Sequence, residues 1–189
     1  MSARPIEILM DEHRIIEKVL AAMRQYADAL KSGSPVDKDK LQGLVPFMRE
    51  FADACHHGKE EYRLFPALVA KGLPARNGPI QAMCAEHETG RRLVGDLESA
   101  VGRHLDRQAG ADAELADALV AIADFYARHI WKEDNVLFPM ADRALGADDV
   151  TGLIEAFGEV DGQVGAASRE RFVGFARGLV DDSDHRNPI

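Results

Sequence analysis

The chain has 189 residues, 46% of them hydrophobic, enough for one sizeable core within single-domain size. A count of 32 acidic against 23 basic residues gives a formal net charge of -9, which repels a phosphate backbone and argues against nucleic acid as a partner. Two cysteines are too few for a disulfide framework, no apolar run spans a bilayer, and the N-terminus lacks a basic-then-apolar leader, so a soluble protein of the cytoplasm, without membrane contact, is expected.

From Ile6 to Leu30 the residues Leu9, Ile16, Leu20, Met23 and Leu30 recur at helical spacing, behind Pro5 in a first-turn position. Lys31-Ser32-Gly33-Ser34-Pro35 closes this helix. A second helical pattern runs from about Asp37 to Ala70; Pro46 and Pro66 inside it each remove a backbone donor and predict a bend or break. The turn-rich segment 71–78 leads to Pro79 and a third helix reaching about Arg107, in which Gly90, Gly95 and Gly102 predict close helix approach. The fourth runs from about Asp112 to Leu145 and ends at Gly146. Beyond it, 150–157 and 168–180 read as short helices whose Leu153, Ile154, Phe157, Phe172 and Phe175 would cover the bundle or a second copy of the chain, and 181–189 reads as a frayed polar tail. Residues 1–146 thus read as one all-α domain and 147–189 as a helical extension.

Two stretches repeat. Ala54-Cys55-His56-His57-Gly58-Lys59-Glu60-Glu61-Tyr62-Arg63-Leu64-Phe65-Pro66 aligns with Ala127-Arg128-His129-Ile130-Trp131-Lys132-Glu133-Asp134-Asn135-Val136-Leu137-Phe138-Pro139 on the shared Leu-Phe-Pro endings. Each places a glutamate four residues after a histidine, on one helix face about a turn away, as helices present metal ligands. The repeat goes further, because Asp11-Glu12-His13-Arg14 is echoed by Ala85-Glu86-His87-Glu88. His13 precedes His56 by 43 residues and His87 precedes His129 by 42, with the predicted loops midway. Equal rise in the two arms of an antiparallel hairpin sets each pair at one height. Two such hairpins packed together give an antiparallel up-down-up-down four-helix bundle with His13, His56, Glu60, His87, His129 and Glu133 directed to its centre. Mixed imidazole and carboxylate ligation suits iron, manganese or zinc over a soft thiolate metal.

Histidine, HxxxE, histidine and HxxxE on successive helices, with the Leu-Phe-Pro endings, resembles the hemerythrin-like (HHE cation-binding) domains over about 6–145. The resemblance implies a non-heme di-iron centre, with His13 and His56 on one iron, His87 and His129 on the other, and Glu60, Glu133 and an oxo or hydroxo group as bridges. Invertebrate oxygen carriers of this family place a fifth histidine one turn after the third-helix histidine, where this chain has Arg91, and end on an aspartate five residues after the last histidine, where this chain has Glu133 at four. With four histidines and two carboxylates the chain is more similar to the bacterial type. The implied roles are binding of O2, NO or related small oxidants for sensing, storage or delivery; alternatively a redox enzyme or iron donor acting on peroxide, NO or damaged iron-sulfur centres; or a metal-storing or structural bundle. A redox or signalling protein partner and a homodimer fit the first two.

Other residues near the motif carry weaker signals. His57 and Glu61 satisfy the same spacing one residue out of register; a 100° step per residue turns only one pair inward, and alignment with His129 and Glu133 selects His56 and Glu60. His57 is therefore expected in solvent or behind the ligands. Asp53 and Tyr126 share a face with candidate ligands, and Glu17, Glu86 and Glu88 are within reach to orient imidazoles. Cys55 and Cys84 read as small buried hydrophobes, Leu9, Met10, Met83, Phe125, Leu137 and Phe138 as an apolar wall, and His104 and His185 as surface.

Overall fold

In the computed structural model, which describes residues 4–184, the chain is all α-helical bundle, and no strand occurs among the described residues. Helix α1 spans Pro5–Lys31. Rod α2 is continuous through 38–70, and α3 spans Pro79–Leu105. Rod α4 is continuous through 111–144, followed by α5 (Ala147–Val164) and α6 (Ala166–Asp184). Asp37 caps α2 by accepting from the backbone N–H groups of Asp39 and Lys40, and Pro5 and Pro79 open α1 and α3 where a missing donor costs nothing.

Neither Pro46 nor Pro66 breaks its rod. Phe47–His57 and Glu60–Leu64 in α2, and Glu133–Leu137 in α4, are π-helical, with the wider turn of i→i−5 bonding. Phe65 N–H donates to the Glu60 carbonyl and Phe138 N–H to the Glu133 carbonyl, so each Leu-Phe-Pro ending marks the return from π to α geometry. Pro66 and Pro139 then fall in the first turn of an α-helical segment, where the chain tolerates them.

The four long elements alternate in direction. Ion pairs descend together along α1 and α4, from Arg14–Asp134 to Arg24–Asp124 to Lys31–Asp117, and along α2 and α3, from Glu61–His87 to Asp53–Arg91 to Arg49–Glu98. Arg103–Glu114 and Glu86–His129 do the same for α3 and α4. Helices α5 and α6 form a hairpin turned at Gly165, whose φ of 89° a side chain would strain, and they pack against α1 and the π-helical stretches of α2. Both are longer than the sequence pattern predicts, and α6 keeps helical backbone to Asp184, so 181–184 are not frayed; 185–189, with His185, lie outside the described residues.

Phe172 on α6 is buried against Phe47 and Phe51, with ring centroids 6.0 and 6.5 Å away, while Leu153 and Phe157 on α5 join a second apolar cluster. Full burial of a side chain such as Phe172 contributes about 1.5–3 kcal/mol. Phe175 crosses Gly43 so closely that a Cβ there would collide with its ring. Among the third-helix glycines Gly90 alone meets a neighbour, a Cβ there lying 2.6 Å from the Tyr126 hydroxyl; Gly95 and Gly102 face open space and mark no close approach. Two apolar clusters result, one around Leu41, Phe51, Leu97 and Leu119, the other around Leu9, Phe65, Met83 and Phe138. A layer of buried charged side chains lies between them.

Candidate metal centre

All six residues singled out by the repeat fall in that layer, His13, His56, Glu60, His87, His129 and Glu133 each at most 2% exposed. His13 and His56 stand with ring centroids 4.6 Å apart, and His87 and His129 with theirs 4.9 Å apart. Glu133 reaches His13 Nε2 at 3.2 Å, His129 Nε2 at 3.3 Å and His87 Nε2 at 3.7 Å. Glu60 reaches His87 Nε2 at 3.4 Å and His56 Nε2 at 3.6 Å. Each carboxylate therefore stands between histidines of both halves, the placement a bridging ligand requires.

His57 does not face solvent, the first of the two places expected for it. It is 1% exposed, and one of its ring nitrogens lies within 4.8 Å of ligand atoms of His87 and His129. A second group at that spacing joins His13, His56, Glu60 and Glu133. His57 is buried beside His56 because Phe47–His57 is π-helical, so neighbouring residues diverge less around the axis than a 100° step, and because α1, α3 and the α5–α6 hairpin leave this stretch little outward face.

Every one of the five histidines is held by a carboxylate at Nδ1. The pairs are His13 with Asp134 at 2.7 Å, His56 with Glu12 at 3.1 Å, His57 with Asp53 at 3.1 Å, His87 with Glu61 at 2.6 Å, and His129 with Glu86 at 3.0 Å. A carboxylate there draws the ring proton to Nδ1 and leaves the Nε2 lone pair free to bind a cation. Arg91, where the oxygen carriers have a fifth histidine, donates to both Asp53 and Glu61 and so braces the supports of His57 and His87. Behind the other supports stand Lys59, bonded to Glu12, and Lys132, bonded to Glu86. The apolar frame repeats as well, since Phe65 stacks on His87 at 5.9 Å and Phe138 on His13 at 5.3 Å.

Of the weaker candidates, Glu86 orients an imidazole, whereas Glu17 pairs with Arg14 and Glu88 with Arg91. Asp53 serves His57 instead of His56. Tyr126 is buried with its ring 4° from parallel to His57, and Met10 is 36% exposed, at the surface and not in the wall. His104 pairs with exposed Asp112 at the far end of α3. The supports Glu12, Glu61 and Asp134 went unread in the sequence, although each sits beside a repeated ligand position, in the doublets Glu12-His13, Glu60-Glu61 and Glu133-Asp134.

The electrostatics are those of a site built for cations. Nε2 of His13, His56, His87 and His129 and both oxygens of Glu60 and Glu133 are buried without a hydrogen-bond partner. Eight acceptor-capable atoms converging with no donor would cost several kcal/mol unless a proton or a metal ion neutralised them. Protons supply part of this: burial opposes charge on His13, but Asp134 and Glu133 outweigh it and raise its pKa to about 9. Burial, then repulsion from Glu133 and Glu12, pushes the Glu60 carboxyl well above the usual carboxylate range. For His56 burial and the neighbouring His13 charge lower the pKa to about 4, so this ring is neutral near pH 7. The imidazole and carboxylate set fits two hard or borderline cations such as iron, manganese or zinc.

Comparison with known proteins agrees with this chemistry. A family model described as the hemerythrin HHE cation binding domain matches residues 4–141. Uncharacterized proteins of Mycobacterium bovis and Mycobacterium tuberculosis are each 24% identical over 151 residues, which cover 80% of this chain. The match spans 58% of these relatives' own length.

Proposed function

The chain belongs to the hemerythrin HHE cation-binding domain family, and from that premise we propose that it is a non-heme di-iron protein that binds O2, NO or a related small oxidant for sensing, storage or delivery. The observation that carries this reading is the set of eight unpartnered Nε2 and carboxylate atoms facing one another between Nδ1-anchored histidines. We assign His13, His56, Glu60 and Glu133 to one metal position and His57, His87 and His129 to the other, with both glutamates able to bridge. Two iron ions held there would supply redox electrons and an open coordination position for a diatomic ligand.

The protein's own residues set the conditions. The Nδ1 carboxylates fix ring orientation and strengthen each imidazole as a donor. Leu9, Phe65, Met83 and Phe138 wall one side with apolar surface that keeps bulk water out. A cavity of about 320 Å³ lined by Met48, Arg49, Asp53, Arg91, Val94 and Tyr126 reaches the two residues set against His57, and supports small-ligand approach from that side. Burial and the Asp53 charge push the Tyr126 pKa upward, so its hydroxyl stays a hydrogen-bond donor at this cavity.

His57 also bears on the choice between binding and catalysis. Counting it, the centre has five histidines although Arg91 stands where the oxygen carriers have their fifth, and a fuller ligand set favours reversible binding over turnover. The test is metal analysis with an aerobic ultraviolet-visible spectrum, followed by mixing of the ferrous protein with O2 or NO. Two irons per chain, oxo-bridged ferric bands and a reversible adduct support the reading. A colourless zinc protein would end it, and rapid oxidation with peroxide turnover would move it to the enzymatic alternative.

A further inference from the structure

Both halves of the centre carry the same chain of contacts, Lys59–Glu12–His56 in one and Lys132–Glu86–His129 in the other. Their surroundings differ. The Lys132 side chain is 44% exposed and that of Glu86 22%, whereas those of Lys59 and Glu12 are both 0% exposed. The difference is made by the α5–α6 hairpin, which lies over the first chain and enters it. Asp161 on α5 accepts from Lys59 Nζ at 2.6 Å and from the Cys55 thiol at 3.2 Å. Arg169 on α6 reaches Glu12 at 3.5 Å and Asp161 at 3.8 Å. Asp161 and Arg169 both lie beyond residue 141, where the family match ends.

We propose that the 147–184 hairpin is a working part of the metal centre and that Asp161 is a positioning residue acting through Lys59 and Glu12 on His56. The proposal rests on the metal-binding reading. A buried ammonium must satisfy its three donors from the groups around it. Asp161 takes one of them, so Lys59 does not lean on Glu12 alone. Glu12 then keeps Oε1 for the cations and Oε2 for His56 Nδ1. Glu12 and Asp161 stand against Lys59 and Arg169, a charge-balanced cluster with Glu12 and Lys59 fully buried and Asp161 and Arg169 at its rim, and the ammonium already fills the space among Glu12, Cys55 and Asp161 where a further metal ion would sit. The consequence is that the two metal positions, built from repeated ligands, are inequivalent: the one on His56 has dry, fixed support, and the one on His129 has support open to solvent.

The test uses the full chain loaded with ferrous iron, read by metal stoichiometry, chelator competition and Mössbauer spectra after oxidation. Asp161→Asn weakens one of the two metal equivalents by about 10-fold and shifts one Mössbauer doublet while leaving the other in place, Asp161→Glu restores both, and Lys31→Met, at an exposed side chain paired with Asp117 away from the centre, stays within about twofold of wild type. Should Asp161→Asn fail to fold, Arg169→Gln, at a side chain 36% exposed, gives the same one-site change at about threefold. A cap with only a structural role would lower thermal stability and leave both doublets unchanged, and that result overturns the proposal. Wild type that loads two irons beside an unchanged Asp161→Asn variant sinks this proposal alone; wild type that takes up no metal pair sinks the reading beneath it as well.

Discussion

His57 lies face to face with His87, their rings 8° from parallel and their centroids 3.8 Å apart. Two buried imidazoles cannot stack this closely while both are charged. Burial, then the neighbouring His87, pushes the His57 pKa well below the usual histidine range, leaving a neutral ring with a lone pair to donate. Replacing His57 with alanine should therefore weaken one metal equivalent by roughly 10-fold or more, measured by chelator competition. Retention of wild-type affinity would return His57 to a packing role and leave four histidines at the centre.

Acid should destabilise the metal-free protein through Glu12. Burial alone would raise its carboxyl, but the His56 hydrogen bond and the Lys59 ammonium outweigh burial and hold its pKa at about 2 against 4.5 in an unfolded chain. His56 is neutral near pH 7, so Lys59 is the standing charge that keeps Glu12 ionised. A lowered folded-state pKa means the stabilisation is complete above the unfolded value and is lost as pH falls from about 4.5 to 2. The full loss is on the order of 3 kcal/mol. Urea titrations of the metal-free chain across that range should show the fall, and Glu12→Gln should make it shallower, with Asp53, also held at about 2, still contributing. Equal slopes in the two proteins would refute the assignment.

Helix order, loop positions and the six repeated residues were legible because they depend on period and symmetry, and a twofold repeat doubles every signal. His57 was not legible, because reading it outward assumed α-helical steps through a stretch that the fold makes π-helical. Nor were Asp161 and Arg169, since the hairpin that carries them has no counterpart in the repeat and its contact with Lys59 is a matter of tertiary packing. Met10 was misplaced for a related reason: an apolar side chain one position from the buried Leu9 turns outward on a regular α-helix.

Gly90 and Gly95 should respond oppositely to the same change. A Cβ on Gly90 would lie 2.6 Å from the Tyr126 hydroxyl, a group fixed beside His57 and His129, so Gly90→Ala must displace a buried ring at a cost of about 1–3 kcal/mol. At Gly95 nothing lies within 4 Å, and alanine there removes a helix penalty of roughly 0.5–1 kcal/mol. Chemical denaturation should show the first variant less stable and the second more so. A neutral Gly90→Ala would mean that Tyr126 swings aside freely and is not a fixed wall of the cavity.

Metal removal offers the broadest check, because the unpartnered atoms of Glu60, Glu133 and four histidines oppose folding until something neutralises them. An ion that binds only the folded chain stabilises it by about 4 kcal/mol at a thousandfold excess over its dissociation constant. For a chain of this size each kcal/mol moves the midpoint of thermal unfolding by about 2–4 °C, so stripping the metal should lower it by roughly 10 °C. Re-addition of ferrous iron under anaerobic conditions should restore it. In the double variant Glu60→Gln with Glu133→Gln both candidate bridging carboxylates are gone, so the folded chain should gain little stability from iron. A double variant that gained as much from iron as wild type would place the binding site elsewhere.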